Sequence, residues 1–376
     1  MRDIQMVDLK GQYQKIKAEV DQRIQGVIES ATFINGPEVK RFQTELEDYL
    51  NVKHVIPCAN GTDALQVAMM ALGLKSGDEV ITTTFTFVAT AEVIALLGLK
   101  PVLVDCDEDS FLISTQAIEE AITPKTKAII PVHLFGQCAN MDEIMRIAKA
   151  NNLLVIEDAA QSIGSNYHFT DGTSKKSGTI GDFGCTSFFP SKNLGCYGDG
   201  GALFTNDDEL ANKARMVVNH GMKVRYYHDE IGVNSRLDSI QAAVLSIKLE
   251  QLDNYGAARQ KAADYYDEAF KGLANVITPL RVANSDHVFH QYTLKIKGID
   301  RNALQAHMME NNVPAMIYYP VPLHQQKAYR DDRYSDGTFP VAEQLASEVL
   351  SLPMHTELDD DQLVKITETL KEFINK

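Results

Sequence analysis

Cysteine is scarce in this chain, and its count is odd. The five residues Cys58, Cys106, Cys138, Cys185 and Cys196 include no CxxC pair, which argues against a metal site or a disulfide-built fold. Most lie in apolar, strand-like runs, so buried free thiols in a reducing cytoplasm are expected, with Cys196, close to Lys192, the one to watch. Basic residues are in deficit: 36 Lys and Arg against 51 Asp and Glu give a formal net charge of −15. Such a chain repels a phosphate backbone, which excludes nucleic acid as its main partner, although a local pocket can still be positive. No apolar run approaches the length of a membrane-spanning helix, and the stretch from Met1 to Lys17 is polar and amphipathic rather than a signal peptide. Low-complexity tracts and internal repeats are also missing. What remains is an ordinary globular composition, 44% hydrophobic and 23% charged over 376 residues, enough for two cores.

Along the chain, Tyr13, Ile16, Val20, Ile24 and Val27 recur at helical spacing, and Asn35-Gly36-Pro37 stops that pattern. A second helix runs through Phe42, Leu46 and Leu50. Strand and helix signals then alternate, with strands at 54–58, 79–82, 101–105, 128–132, 153–157 and 202–205, and helices at 62–72, 89–97 and 141–150. This predicts an α/β fold with a mainly parallel sheet between helices. A long helix is expected from Leu237 to Leu252, opened by Asn234 and Arg236. Beyond it come a strand over 287–296 and helices over 301–312, 342–350 and 363–373. The chain therefore divides into a large domain, 1–250, and a smaller α+β domain, 251–376, with Gly256 near the boundary.

Two stretches carry the chemistry. In Thr186-Ser187-Phe188-Phe189-Pro190-Ser191-Lys192-Asn193-Leu194-Gly195, a lysine follows an aromatic run and precedes the glycine-rich Gly198-Asp199-Gly200-Gly201. A surface loop would explain an isolated lysine, but these flanks are apolar and point its amine into a pocket. An amine desolvated there has a lowered pKa and can attack a carbonyl. The second stretch, Leu153 to Glu157, is a continuous apolar run that ends in acid and reads as a buried parallel strand with Asp158 at its carboxyl end. Ligands of open α/β sheets bind outside those ends. Asp158 and Gln161 also have capping-box spacing, but no helical period follows them. A buried carboxylate needs a cationic partner, and a protonated pyridine ring nitrogen, as in pyridoxal 5'-phosphate, is one. Asn60-Gly61-Thr62-Asp63 falls between a strand and a helix, where a helix cap and an anion site look alike.

The runs CANGTDAL, FTFVATAE, VIEDAAQS, TSFFPSKNLGCYGDGGA and GVNSRLDSIQAA resemble the sugar aminotransferases of the DegT/DnrJ/EryC1/StrS family, over nearly the whole chain. The resemblance implies the aminotransferase fold of type I, a pyridoxal 5'-phosphate cofactor and catalysis by Lys192 and Asp158. It further implies a phosphate cradle at Gly61, Thr62 and Ser187, an aromatic stack from Phe87 with Ala160 on the opposite ring face, and a bond from Gln161 to the cofactor's phenolic oxygen. Asn234 is implied to reach a neighbour's cofactor phosphate across a homodimer, and Arg236 to meet a substrate carboxylate. Tyr318, Tyr319 and His324 are implied to form the substrate rim, although relatives often carry His where Tyr318 stands. The implied substrates are a UDP-linked 2-acetamido-2-deoxy-3-oxo-glucuronate and L-glutamate, in surface polysaccharide synthesis. Two rivals stay open: a dehydratase of the same fold, whose relatives carry His at the lysine position, and a non-catalytic regulator that binds the cofactor.

Overall fold

A computed structural model describes residues 2–375. The chain opens with two helices, α1 (Leu9–Ser30) and α2 (Pro37–Leu50). The Asp8 side chain caps α1 by accepting the Gly11 N–H at 2.7 Å, and proline occupies the start of α2, where its missing N–H costs nothing. Then follow β1 (His54–Cys58), α3 (Gly61–Ala71), β2 (Glu79–Thr83), α4 (Ala89–Leu96), β3 (Lys100–Val104), α5 (Thr115–Ala121), β4 (Thr126–Ile130), α6 (Met141–Asn151) and β5 (Leu154–Asp158). A small hairpin, β6 (Asn166–His168) with β7 (Ser174–Lys176), leads to β8 (Phe183–Ser187) and β9 (Gly201–Thr205).

These build a seven-stranded sheet of order β1-β9-β8-β5-β4-β2-β3. Strands β8, β5, β4, β2 and β3 are mutually parallel, and β9 runs antiparallel to both of its neighbours. Helices cover both faces because successive side chains of a buried strand point opposite ways. Ile156 of β5 packs into a cluster with Val67 and Phe183, whereas Val155 joins Ile129 and Ile144 on the other side. The carboxyl ends of β5 and β8 lie side by side, with Asp158 in register with Cys185. That edge carries the functional groups.

Beyond the sheet come α7 (Asp208–Val217), a hairpin of β10 (Met222–Val224) and β11 (Tyr227–His228), then α8 (Ser239–Leu249) and α9 (Leu252–Phe270). The remaining elements are β12 (Val276–Ile277), β13 (Tyr292–Ile296), α10 (Arg301–Glu310), α11 (Pro340–Glu348), β14 (Val349–Leu352) and α12 (Asp360–Ile374). Strands β12, β13 and β14 form an antiparallel sheet with its own core, including Tyr266, Tyr292, Leu304, Leu352 and Ile366. Helix α9 passes through Gly256 unbroken and joins the two cores, with Leu252 in the first and Ala262 to Phe270 in the second.

Three expectations need correction. Helix α8 starts at Ser239, so Asn234 and Arg236 lie in the extended stretch before it rather than in its first turn. The helix expected over 342–350 ends at Glu348, and Val349–Leu352 is a fully buried strand instead; a short apolar run fits either element until a partner strand takes it. Only Tyr292–Ile296 of the strand expected over 287–296 is extended, because Phe289 takes a positive φ of 45°.

Candidate active site

A cavity of about 670 Å3 opens at the carboxyl ends of β5 and β8, lined from both cores. Asp158 stands in it, held on both carboxylate oxygens: Thr90 donates its hydroxyl to Oδ2 at 2.7 Å and the Ala160 N–H reaches Oδ1 at 3.2 Å. The preceding residue, Glu157, points to the opposite side of β5 and anchors it. Its carboxylate accepts the N–H groups of Gly178, Ile180 and Gly181 at 3.0, 2.6 and 2.7 Å. His133 Nε2 adds a fourth bond at 2.9 Å; since the Ala139 N–H donates to Nδ1, Nε2 carries the proton. A fully buried carboxylate met by four donors is satisfied without an ion-pair partner of its own. Among the described residues no helix follows Asp158, only turns, so the capping-box alternative for Asp158 and Gln161 falls away.

Lys192 sits in a tight loop whose turn is closed by its own N–H on the Phe189 carbonyl at 2.8 Å. Desolvation pushes its amine down to about 8, with Asp158 pulling the other way. A proton can thus leave and return near neutral pH. Gly61, at the start of α3, packs directly on Ser187 at the end of β8. A Cβ there would lie 2.7 Å from the Ser187 Cβ, so glycine is what lets the helix N-terminus close on the strand end. Asn60 caps α3 through the Asp63 N–H at 2.8 Å. The first-turn amides at Gly61 and Thr62, which have no carbonyl partner within the helix, stand beside Ser187 on the cavity wall.

Phe87 also lines the cavity and is 57% exposed, so it is not core. Ala160 lines the same cavity. Gln161 is buried and doubly tied: its carbonyl accepts the Phe135 N–H at 2.7 Å and its amide donates to the Tyr319 hydroxyl at 2.9 Å. One amide hydrogen is left for a ligand. Tyr319, at φ 61°, stacks on Phe135 at 6.0 Å, and Tyr318 stands next to it on the wall.

Three of the residues singled out in the sequence are not brought to this cavity. His324 is buried beneath the rim, with Nδ1 at 2.9 Å from the Thr84 hydroxyl and Nε2 at 3.2 Å from Glu343; both ring nitrogens are engaged in holding the loop, which corrects its placement on the substrate rim. Asn234 is exposed, in a backbone bridge with Asn219, and Arg236 is half-buried. Neither lines the cavity of its own chain. The Cys196 thiol bonds the Phe188 and Gly198 carbonyls at 3.0 and 3.1 Å, and burial pushes it up to about 11. All five cysteines are free and buried.

Several groups that build or support the site carry no recognisable signal in the sequence. Thr90 is one polar residue in an apolar helix, and Glu157 reads as the end of a strand. His290 and Gln291 reach the cavity from the second core through the irregular stretch before β13. Burial, with Lys192 and Arg259 nearby, holds His290 well below the usual imidazole range, so it is neutral at pH 7. Among the described residues no cluster of His, Cys, Asp and Glu could hold a metal ion, and no helix is long and apolar enough to cross a membrane. A second recess of about 500 Å3 beside α1 and α2 holds Arg23, Glu38 and Arg41 but no buried nucleophile.

Together the groups fit a phosphorylated aromatic aldehyde: a free helix N-terminus with a serine for the phosphate, an amine of lowered pKa for the carbonyl, and an oriented carboxylate for a ring nitrogen. Comparison with known proteins agrees. Residues 14–371 match the model of the DegT/DnrJ/EryC1/StrS aminotransferase family. The chain is 49% identical to a UDP-2-acetamido-2-deoxy-3-oxo-D-glucuronate aminotransferase of Pseudomonas aeruginosa, covering 95% of this chain and 96% of that one. It is 47% identical to a pleiotropic regulatory protein of Geobacillus stearothermophilus, covering 99% and 98%. The solved NtdA structure of Bacillus subtilis, with bound PMP, is 32% identical and superposes with a TM-score of 0.88, over 96% of this chain and 82% of that one.

Proposed function

The chain belongs to the DegT/DnrJ/EryC1/StrS aminotransferase family, and from that premise we propose that it moves an amino group from L-glutamate to the 3-keto group of UDP-2-acetamido-2-deoxy-3-oxo-glucuronate. The product would serve surface polysaccharide synthesis of the O-antigen or lipopolysaccharide type. The observation that carries this reading is the meeting of Lys192, Asp158 and the Gly61–Ser187 cradle in one cavity. Pyridoxal 5'-phosphate, the family's cofactor, supplies a ring that accepts the electrons left when the donor's α-C–H bond breaks.

In this reading Gly61, Thr62 and Ser187 would hold the phosphate, and Phe87 and Ala160 would hold the ring. Asp158 would keep the ring nitrogen protonated, and Gln161 would donate its remaining amide hydrogen to the phenolic oxygen. Lys192 would hold the cofactor at its carbonyl carbon, and its amine, of lowered pKa, would be the base that takes the proton from the donor's α-carbon. The same amine returns a proton when the keto-sugar takes up the amino group. Residues 1–250 hold the cofactor and 251–376 close the substrate side with Tyr318 and Tyr319. Asn234 and Arg236, neither of which lines the cavity of its own chain, act on a partner's site in a homodimer. Buried free thiols support a cytoplasmic setting.

The regulatory relative invites a second reading, a cofactor-binding regulator. An amine, an oriented carboxylate and a free cavity are more than a binding role requires. A screen of UDP- and dTDP-linked 3-keto and 4-keto sugars with glutamate tests the proposal. Amination of the uronate is expected to be fastest. A neutral sugar as the preferred substrate corrects the specificity, and no half-reaction with any amino donor overturns the enzyme reading.

A further inference from the structure

A second lysine is buried near the site and takes no part in the chemistry described so far. Lys248 lies on α8, where every residue from Ala242 to Leu249 is buried, and it is 1% exposed. A buried ammonium costs free energy unless it is paired. Among the described residues no carboxylate bonds it. Its Nζ donates to the Gly195 carbonyl at 2.7 Å and stands 4.6 Å above the ring of Tyr197. Desolvation pushes it down to about 8.

Both contacts fall on the return limb of the Lys192 loop. That loop is closed on itself: the Cys196 N–H donates to the Phe188 carbonyl at 2.8 Å. A Cβ at Gly195 would lie 2.4 Å from the Pro190 carbonyl oxygen, so the two limbs are in contact. Gln241, two turns before Lys248 on α8, grips the next residue. Its carbonyl accepts the Tyr197 N–H at 2.8 Å and its amide reaches the Tyr197 carbonyl at 3.5 Å. Neither Gln241 nor Lys248 lines the cavity.

We propose that Lys248 is a positioning residue for Lys192: with Gln241 it clamps the return limb of the lysine loop to α8 and so fixes where the Lys192 amine stands. An apolar residue would fill the same space more cheaply but could not hold a carbonyl. The inference rests on Lys192 being the residue that binds the cofactor. A misplacement of about 1 Å at a reacting group is enough to cost roughly 100-fold in rate.

The test compares Lys248→Met, which keeps the volume without charge or donor, with Lys248→Arg, which keeps both. In the cofactor-free chain, hydrogen exchange of the peptide over residues 189–197 is expected to quicken about tenfold in the Met variant relative to β4 and β5. In the holoenzyme, the pH midpoint of the bound cofactor's absorbance is expected to move. The half-reaction should slow by about 10- to 100-fold at nearly unchanged KM, and Lys248→Arg should restore most of the rate. Unchanged loop exchange, or a half-reaction within about threefold of wild type, overturns the proposal. If Lys248→Met does not fold, Gln241→Met carries the same expectations, and normal loop exchange there overturns it. The exchange measurement needs neither donor nor sugar, so a wrong substrate assignment shows separately. Borohydride labelling of a different lysine in wild type would overturn the reading of Lys192 itself.

Discussion

Thr90 donates its hydroxyl to Asp158 Oδ2 at 2.7 Å from the first turn of α4, so the acid that ends β5 is oriented before any ligand arrives. The two residues are far apart in sequence and meet only because α4 lies over the carboxyl edge of the sheet. Asp158→Asn keeps the shape but removes the charge that holds a ring proton, and turnover is expected to collapse while the fold survives. Thr90→Val removes one bond to a charged group, worth about 1.5–3 kcal/mol, and is expected to slow the half-reaction by roughly 10- to 100-fold. Stopped-flow absorbance with glutamate reads both. Near-normal rates in Asp158→Asn would show that the carboxylate does not serve the ring.

The lowered pKa of Lys192 links stability to pH in a direction that can be measured. Folding takes the amine from an ordinary 10.5 to about 8, so between those values the unfolded chain binds a proton that the folded chain does not. Stability then rises with pH across that window, and the penalty of the buried ammonium is full below pH 8. In the cofactor-free protein, Lys192→Met is therefore expected to be more stable than wild type at pH 7, and the gap is expected to close towards pH 10. Lys248 titrates similarly in both proteins and cancels. Urea unfolding at the two pH values checks this, and a gap independent of pH contradicts the burial of the amine.

Much of the frame is legible in the sequence because buried parallel strands are apolar runs of a length few other elements share. The strands expected at 79–82 and 153–157, found as Glu79–Thr83 and Leu154–Asp158, were readable for that reason. β8 was not, since Gly184, Thr186 and Ser187 dilute its run, and the chain there reads as loop. Helix α7 was also missed; its charges hide the short stripe of Ala211, Ala214 and Val217. At the site, Lys192 and Asp158 were legible from their flanks. His324 was not, because the partners that bury it, Thr84 and Glu343, come from other elements. Side-chain bonds between distant residues leave no local period to read.

Asn234 gives a test of assembly. It is exposed, five residues before α8, and does not line the cavity of its own chain. If it serves a partner's phosphate site, mixing Lys192→Ala with Asn234→Ala subunits creates heterodimers with one doubly damaged site and one intact site. Activity is then expected to recover towards a quarter of wild type in an equal, randomly assorted mixture, because about half of the dimers are mixed. Mixed dimers that form, as judged by mass, but stay inactive would place Asn234 in a structural role.

Arg236 is the test of specificity. The ordinary explanation for an arginine here is a pair with Asp238, but among the described residues no ion pair or side-chain hydrogen bond engages Arg236, and Asp238 is exposed at the start of α8. A half-buried guanidinium without a carboxylate has not recovered the hydration it gave up, and its fork matches the two oxygens of a uronate. Arg236→Leu should leave the fold, the bound cofactor and the half-reaction with glutamate untouched, since none of these meets the sugar's carboxylate. Its kcat/KM with the uronate is expected to fall by one to a few powers of ten, because a lost buried charge pair costs about 2–5 kcal/mol. A neutral 3-keto sugar should lose little, since it has no carboxylate to bind. The comparison is internal to one variant, so general damage to the site cannot imitate it. An equal loss on both sugars would make Arg236 a structural residue and would return the choice of substrate to the neutral sugars.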